Sequence, residues 1–340
     1  MEISEQSVPQ WMLEITDPSQ VGEARRAAVG FAEQLGINET DRGAIAICAT
    51  ELATNILKHA NRGRIFGGRL SANGTHGIRI LAIDRGPGIR NIANALEDGY
   101  STAGTCGNGL GAVRRLSTLF DIYSLPERGT CVLAEFWPTK KIPANGPIEI
   151  GTISIALRGE PVCGDSWLYK TNHDTAWLMV ADGLGHGVYA AEAAQEAEKI
   201  LAEAESSSPA LIMRECHDAL KKTRGAAAAI ATIDHGKGII SFAGLGNISA
   251  VLVNGGHTRG LASHNGTVGH QMSRIQEFTF PWGDENTLIM HSDGLATRWS
   301  LADYPGLLNK HPSLIAAVLY RDFSRERDDV TVLVARNSRS

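Results

Sequence analysis

Between Pro138 and Pro147 the hydrophobic pattern stops. The stretch PTKKIPANGP holds three prolines, a glycine and two lysines, which interrupt both helical and strand periodicity. The chain has 340 residues, enough for two domains of roughly 150 residues each. The expected division is a first domain over 1–138, a linker over 139–147 and a second domain over 148–340. Apolar residues make up 43% and charged residues 20%, so each half can bury a core and bulk disorder is excluded.

Several function classes drop out early. The net charge of -5 argues against a chain that coats nucleic acid or anionic lipid. The longest apolar runs, such as Ala226 to Ile233, fall far short of the roughly 20 residues of a membrane helix. Met1 to Gln10 carries acids and no apolar segment, unlike a secretory signal. Five cysteines, at 48, 106, 131, 163 and 216, form no CxxC pair and are odd in number. Neither a disulfide framework nor a structural zinc site is expected, and a cytoplasmic location follows.

Both halves read as mixed α/β. In the first, Asp17-Pro18 starts a helix with apolar positions Val21, Ala24, Ala28, Phe31 and Leu35. Thr40 or Asp41 is the expected cap of a second helix running to about Ala60. Leu70 to Asp84 alternates like a hairpin with Asn73-Gly74 near its turn. Gly109 to Leu119 reads as a helix, and Phe120 to Trp137 as two strands around Glu127 to Gly129. In the second half, strands are expected over 148–157, 167–170 and 176–181, then helices over 189–204 and 209–222. Four or five short strands, a helical tail and a last strand over 330–335 follow.

The first half lacks GxxxxGK[ST], so a Walker-type phosphate cradle is absent. Three other features occur in order. Glu51 and Asn55 are four apart and project from one helix face. Asn supplies a hard oxygen for Mg²⁺, and a glutamate can orient or deprotonate a nucleophile. Asp84-Arg-Gly86-Pro-Gly88 follows an apolar strand. Its carboxylate can accept from an exocyclic amine, and its glycines let backbone approach a flat ring. Gly107-Asn-Gly109-Leu110-Gly111 opens a helix and exposes backbone N–H groups to an anion. Each feature alone also fits a plain role: a solvated helix face, a turn, a flexible connection.

Taken in order, with Gly129-Thr130 in a late strand, they resemble the N, G1, G2 and G3 boxes of the GHKL ATPase/kinase superfamily over about residues 10 to 137. The resemblance implies a Bergerat α/β sandwich binding MgATP. Asn55 would hold Mg²⁺, and Asp84 would take the adenine amine, with Gly86 and Gly88 beside it. Gly107, Gly109, Leu110 and Gly111 would flank the phosphates. Thr130 would assist at the base, and Glu51 would be the general base. The short interval between glycine motifs and the stretch GLGAVRRLSTLFDIYS look like the small serine kinases of bacterial stress and sigma-factor control, RsbT in particular. Those act on STAS-domain partners. Arg85 departs from the pattern, where Asn is common.

In the second half the informative residues are acids at strand ends: Gly164-Asp165-Ser166, Asp182-Gly183-Leu-Gly-His-Gly187, Asp293-Gly294 and Asp328-Asp329-Val-Thr331. A rigid sheet can present ligands this way. Converging carboxylates repel unless cations neutralise them, and Mg²⁺ and Mn²⁺ favour oxygen ligands. A single Asp-Gly is more often a turn. The set resembles the metal-dependent PPM serine/threonine phosphatases, in their SpoIIE and RsbX-like branch, over about residues 148 to 337. That implies a PPM-type α-β-β-α sandwich. Asp182 would be the catalytic bridge between two metals, with Gly183 adding its carbonyl. Asp293 and Asp328 would complete one metal's shell and Asp165 would support the other. Asp329 is a candidate for the surrounding shell. His186 is a proton donor, a phosphate contact or a helix cap, and His291 is structural. His173, His235, His257 and His264 are expected in solvent.

The two resemblances together imply a bifunctional regulator, kinase and phosphatase on one chain. Its expected partner is a STAS-domain anti-sigma antagonist or a stressosome protein, with no nucleic acid and no membrane. The alternatives are a phosphatase regulated by a non-catalytic GHKL module, or an anti-sigma factor.

Overall fold

The computed structural model describes residues 2–6, 11–72, 74–97, 109–143, 146–272 and 274–338. Contacts divide the chain into two compact units. One contains residues 8–144 and 304–321, the other 1–7, 145–303 and 322–340. The change of unit within 144–145 falls inside the proline-rich joint. The expected contiguous domains nevertheless exchange segments: residues 304–321 group with the first unit and the N-terminal strand with the second.

The first half runs β1 (Glu2–Gln6), β2 (Trp11–Ile15), α1 (Ser19–Gln34), α2 (Glu39–Asn55), β3 (Gly63–Ala72), β4 (Thr75–Asp84), α3 (Ile92–Ala95), α4 (Gly109–Leu116), β5 (Leu119–Leu125) and β6 (Gly129–Phe136). Asp17 starts α1 by accepting the Ser19 N–H at 2.8 Å. The cap of α2 is Asn38, not Thr40 or Asp41: its side chain accepts the Asp41 N–H at 3.0 Å. Glu39 and Asp41 then lie in the first turn, where acids favour the positive end of the helix. The helix ends at Asn55 and a π-helical turn, Ile56–Ala60, carries the chain on. The hairpin is longer than expected, because β3 begins at Gly63 and pairs with Asp84.

Strands β2-β3-β4-β6-β5 form one antiparallel sheet. Alternation sends Ile65, Ile78, Ile80, Ala82, Val132 and Ala134 into a core with the small side chains of α1 and α2, among them Ala24, Ala28, Ala49 and Ala53. Small residues let helices approach a sheet closely. The intervening residues Phe66, Leu81 and Leu133 point the other way and are also buried. On that face the Tyr320 ring meets Phe66 edge-on at 5.6 Å, and Arg64 donates to the Tyr320 hydroxyl at 2.8 Å. Asp121 accepts from Lys310 Nζ at 3.0 Å and from His311 N at 2.8 Å.

The second half contains β7 (Ile148–Ile155), β8 (Asp165–Thr171), β9 (Thr175–Gly183), α5 (Val188–Glu203), α6 (Pro209–Ala219), β10 (Ala226–Asp234), β11 (Ile239–Leu245), β12 (Ser249–Asn254), β13 (His257–Leu261), β14 (Phe278–Pro281), β15 (Asn286–His291), α7 (Pro312–Phe323) and β16 (Val330–Asn337). Together with β1, its strands form two sheets, β1-β8-β9-β10-β11-β14 and β13-β12-β15-β16-β7. Trp167, Leu178, Val180, Ala227 and Ala229 of the first meet Ile150, Leu288, Met290 and Leu333 of the second in one core. The opposite face of the first sheet is covered by α5 and α6 through Ala193, Ala197, Leu201, Ile212 and Met213. Two packed sheets with helices on the outer face of the first supply three layers of the sandwich expected for this half.

Candidate functional site

The first unit gathers its site where α2, the end of β4 and the start of α4 meet. Glu51 and Asn55 both face Gly109. A Cβ added to Gly109 would stand 2.8 Å from Glu51 Oε2 and 3.5 Å from both side-chain polar atoms of Asn55. A cavity beside them is lined by Asn55, His59, Asp84, Gly88, Leu110 and Thr130, with Leu52, Ala82 and Val132 among its apolar walls. Asp84 Oδ1 accepts from Gly86 N at 2.8 Å and from Thr130 N at 3.1 Å. Burial still holds its carboxyl above the ordinary carboxylate value, against the pull of these donors. Thr130 is tied to Ser124 Oγ at 2.8 Å, and Ser124 Oγ also accepts the Ile89 N–H at 2.8 Å.

Two glycines here are dictated by close approach. Gly88 has φ +71 and an added Cβ would lie 2.0 Å from Leu125 O. Gly129 has φ +86 and a Cβ there would lie 2.1 Å from Asp84 O. Any larger residue displaces the backbone that carries the acid. Gly111 is buried in α4. Gly107 lies outside the described residues. Arg85, the departure from the expected pattern, donates to the Arg321 carbonyl. The Arg321 guanidinium reaches Cys131 Sγ at 3.8 Å and is one of the charges drawing the Asp84 pKa down. Sequence reading missed Arg321, which lies far away along the chain and in no motif.

In the second unit, strand register makes the site. Asp165 and Asp182 are directly opposite across β8 and β9. Ser292, next to Asp293, donates to Asp165 Oδ2 at 2.6 Å and accepts Thr331 N at 2.9 Å. That ties the β15 and β16 ends, hence Asp293 and Asp328, to Asp165. Gly183 and Gly294 are steric necessities: an added Cβ would fall 1.9 Å from Ala190 O and 2.0 Å from Asp329 O respectively. Asp293 Oδ2 accepts from Asn247 at 2.7 Å. Asp329 is buried; its Oδ1 accepts Leu157 N at 2.8 Å, while Oδ2 has no well-formed hydrogen bond.

The carboxylates of this cluster are buried and crowd one another. Burial, then repulsion from Asp165, Asp293, Asp328 and Asp329, pushes Asp182 far above the ordinary carboxylate value. Asp165 is raised first by burial, and its Ser292 hydrogen bond offsets only part of that. Asp328 and Asp329 are also raised, chiefly by burial. Among the described residues no three His, Cys, Asp or Glu side chains already stand as a metal-ligating group. The donor set is all oxygen, which suits Mg²⁺ or Mn²⁺, and the mutual repulsion of the carboxylates fits a bound cation.

Only some of the histidines sort as expected. His186 neither caps α5, which starts after Gly187, nor stands free: its Nδ1 meets Glu160 Oε1 at 2.6 Å. His291 is buried and structural, with Nδ1 on Ser292 O at 2.8 Å and Nε2 3.3 Å from Trp299 Nε1. His173 and His257 are exposed. His235 and His264 are half-buried, the latter stacked on Phe278 at 6.2 Å, so the polar flanks misjudged both.

The fold and these two sites define a chain that joins a histidine kinase-like ATPase domain, matched over residues 16–136, to a SpoIIE (Stage II sporulation protein E) domain, matched over 172–338. The first half belongs to the family of serine/threonine-protein kinase RsbT of Bacillus subtilis (strain 168). It is 38% identical over 114 residues, covering 34% of this chain and 86% of that protein. The second half is similar to phosphoserine phosphatase RsbX of the same organism, 24% identical over 201 residues, covering 58% of this chain and 99% of RsbX. Among solved structures, a chain from work on the bacterial stressosome matches with 29% identity and a TM-score of 0.52, over 56% of this chain and 99% of that one. RsbX in complex with magnesium matches with 21% identity and a TM-score of 0.50, over 58% and 99%, which bears on the fold alone.

Proposed function

We propose that the chain is a bifunctional regulator. Its first unit is an ATP-dependent serine/threonine kinase, and its second a metal-dependent phosphoserine/phosphothreonine phosphatase. Both act on a STAS-domain protein of a stressosome-like, sigma-factor-controlling system in the cytoplasm. Among the described residues no helix is long and apolar enough to cross a membrane.

In the kinase unit, Asp84 receives the adenine amine; its Oδ1 is already fixed by two backbone donors. Asn55 offers its side-chain oxygen to Mg²⁺. Glu51, on the same side of Gly109, takes the proton of the attacking hydroxyl. Phosphoryl transfer asks little more of a protein than positioning, charge neutralisation and a base. In the phosphatase unit, Asp182, Asp293 and Asp328, with Asp165 and the Gly183 carbonyl, would hold a pair of Mg²⁺ or Mn²⁺ ions. When bound, such a pair activates water and polarises a phosphoryl oxygen. The protein's own work is to fix Asp182 against Asp165 by strand register and to tie Asp165 to the Asp293 loop through Ser292.

The observation that carries the reading is the Asp165–Asp182 pairing with Asp293, Asp328 and Asp329 close enough to disturb Asp182. Hydrolysis of p-nitrophenyl phosphate with Mn²⁺ tests it. Wild type should turn over, and Asp182→Asn should lose at least about a thousandfold, as groups that organise the reacting centre do. Equal metal-dependent rates in both would sink the assignment.

A further inference from the structure

Three large apolar side chains stand in solvent at the end of the strand that carries Asp182. Leu184 is 44% exposed, Val188 61% and Tyr189 62%. Scattered exposed apolar residues need no explanation, but one of these carries an arginine on its ring and another sits in a loop fastened beside that arginine. The Arg224 guanidinium lies over the Tyr189 ring, 4.9 Å from its centroid. Leu184 N donates to Gly225 O at 3.0 Å, which fastens the loop after Asp182 to the segment bearing Arg224. A Cβ on Gly185 would come within 3.2 Å of Arg224 Nη1. Past this point β10 pairs back along β9, with Ala226 opposite Gly183 and Ala227 opposite Asp182.

Basic groups gather on one side of the patch only: on the other, Glu160 meets His186 Nδ1 at 2.6 Å beside Gly187. Lys221 and Lys222 precede Arg224 at the end of the same segment. Lys221 is paired with Asp218 at 2.6 Å. Arg224 itself is exposed and held by an aromatic face, not by a carboxylate. A cation stacked on a ring has surrendered much of its rotamer freedom before any partner arrives, so less is lost on binding. Aromatic and arginine side chains together are the usual anchors of recognition surfaces.

We propose that Leu184, Val188, Tyr189 and Arg224 form the docking surface for the protein substrate of the phosphatase. They would grip the chain segment around the phosphorylated residue, with its apolar side chains on the first three and an acidic side chain on Arg224. Charge complementarity selects this occupant: the patch is apolar with a basic edge, and it adjoins the carboxylate cluster where the phosphoryl group must go. The proposal rests on the phosphatase reading. It separates substrate capture, which uses this surface, from hydrolysis, which uses the acids.

The test uses the full chain with Mn²⁺ and three probes: p-nitrophenyl phosphate, a phosphoserine peptide flanked by leucine and glutamate, and one flanked by glycine and lysine. Wild type should favour the leucine/glutamate peptide over the glycine/lysine peptide by about tenfold in kcat/KM. Arg224→Glu and Tyr189→Ala should each erase that preference through KM, and Arg224→Lys should keep part of it. All three variants should hydrolyse the aryl phosphate within about twofold of wild type and melt at the same temperature. No peptide preference in wild type would overturn the proposal, as would variants that lose aryl phosphate and peptide turnover equally. No metal-dependent turnover of the aryl phosphate by wild type would instead remove the phosphatase reading beneath it.

Discussion

The two sites treat their acids in opposite ways. Asp84 is satisfied by the protein itself, through the N–H groups of Gly86 and Thr130. Asp182 is left among four other carboxylates. A group that its own backbone anchors is ready before the ligand comes. A group surrounded by like charge stores an unfavourable energy that only protons or cations relieve. The acid of the first unit is therefore held in place by the protein, whereas those of the second are held against one another's repulsion.

The largest contrast should appear in stability without metal. Burial and neighbouring carboxylates hold Asp165 and Asp182 well above the ordinary carboxylate value in the folded protein. The folded state then holds more protons than the unfolded chain, so stability falls as pH rises from the ordinary carboxylate range through the raised values. A tenfold difference in proton affinity between the two states corresponds to about 1.4 kcal/mol. In EDTA the melting temperature of the second unit should drop by at least about 3 °C between pH 6 and pH 8.5. Mn²⁺ should abolish most of that drop and leave the first unit's transition unchanged. A metal-free transition independent of pH would break the contrast.

Gly129→Ala probes the other side. With φ +86 and a Cβ that would fall 2.1 Å from Asp84 O, it should cost the first unit about 2 kcal/mol or more. It should also weaken nucleotide binding while aryl phosphate hydrolysis persists. Calorimetry together with a nucleotide titration reads both effects, and an unchanged first transition would refute the steric account. Tyr320→Phe is subtler. It keeps the ring on Phe66 and removes only the hydroxyl that accepts from Arg64. A loss of about 0.5–1.5 kcal/mol is expected in the first unit. A shift confined to the second transition would contradict the placement of residues 304–321 in the first unit.

How much of this was legible follows from the range of each interaction. Glu51 and Asn55 declare themselves because helical spacing is local, and the facing Gly109 sits in its own motif. Strands β8 and β9 are legible as apolar runs, but their register, which sets Asp165 opposite Asp182, is a long-range property that no single strand encodes. Strand β2 was missed because five residues, WMLEI, show too little alternation. The Asn38 cap was missed because Thr40 and Asp41, equally good cap residues, follow it closely. The transfer of residues 304–321 to the first unit was invisible: the run is apolar enough for any core, and its partners lie 180 or more residues upstream, as with Lys310 and Asp121.

The central claim is that one chain both adds and removes a phosphoryl group. The direct measurement follows radiolabel from γ-labelled ATP into a STAS-domain protein over time, with Mg²⁺ and Mn²⁺ present. Three proteins are compared: wild type, Glu51→Gln and Asp182→Asn. The account predicts no label with Glu51→Gln, a low steady level with wild type, and a higher level with Asp182→Asn that persists after a chase of unlabelled ATP. Label with Glu51→Gln equal to wild type, or label with Asp182→Asn no higher than wild type, would contradict it.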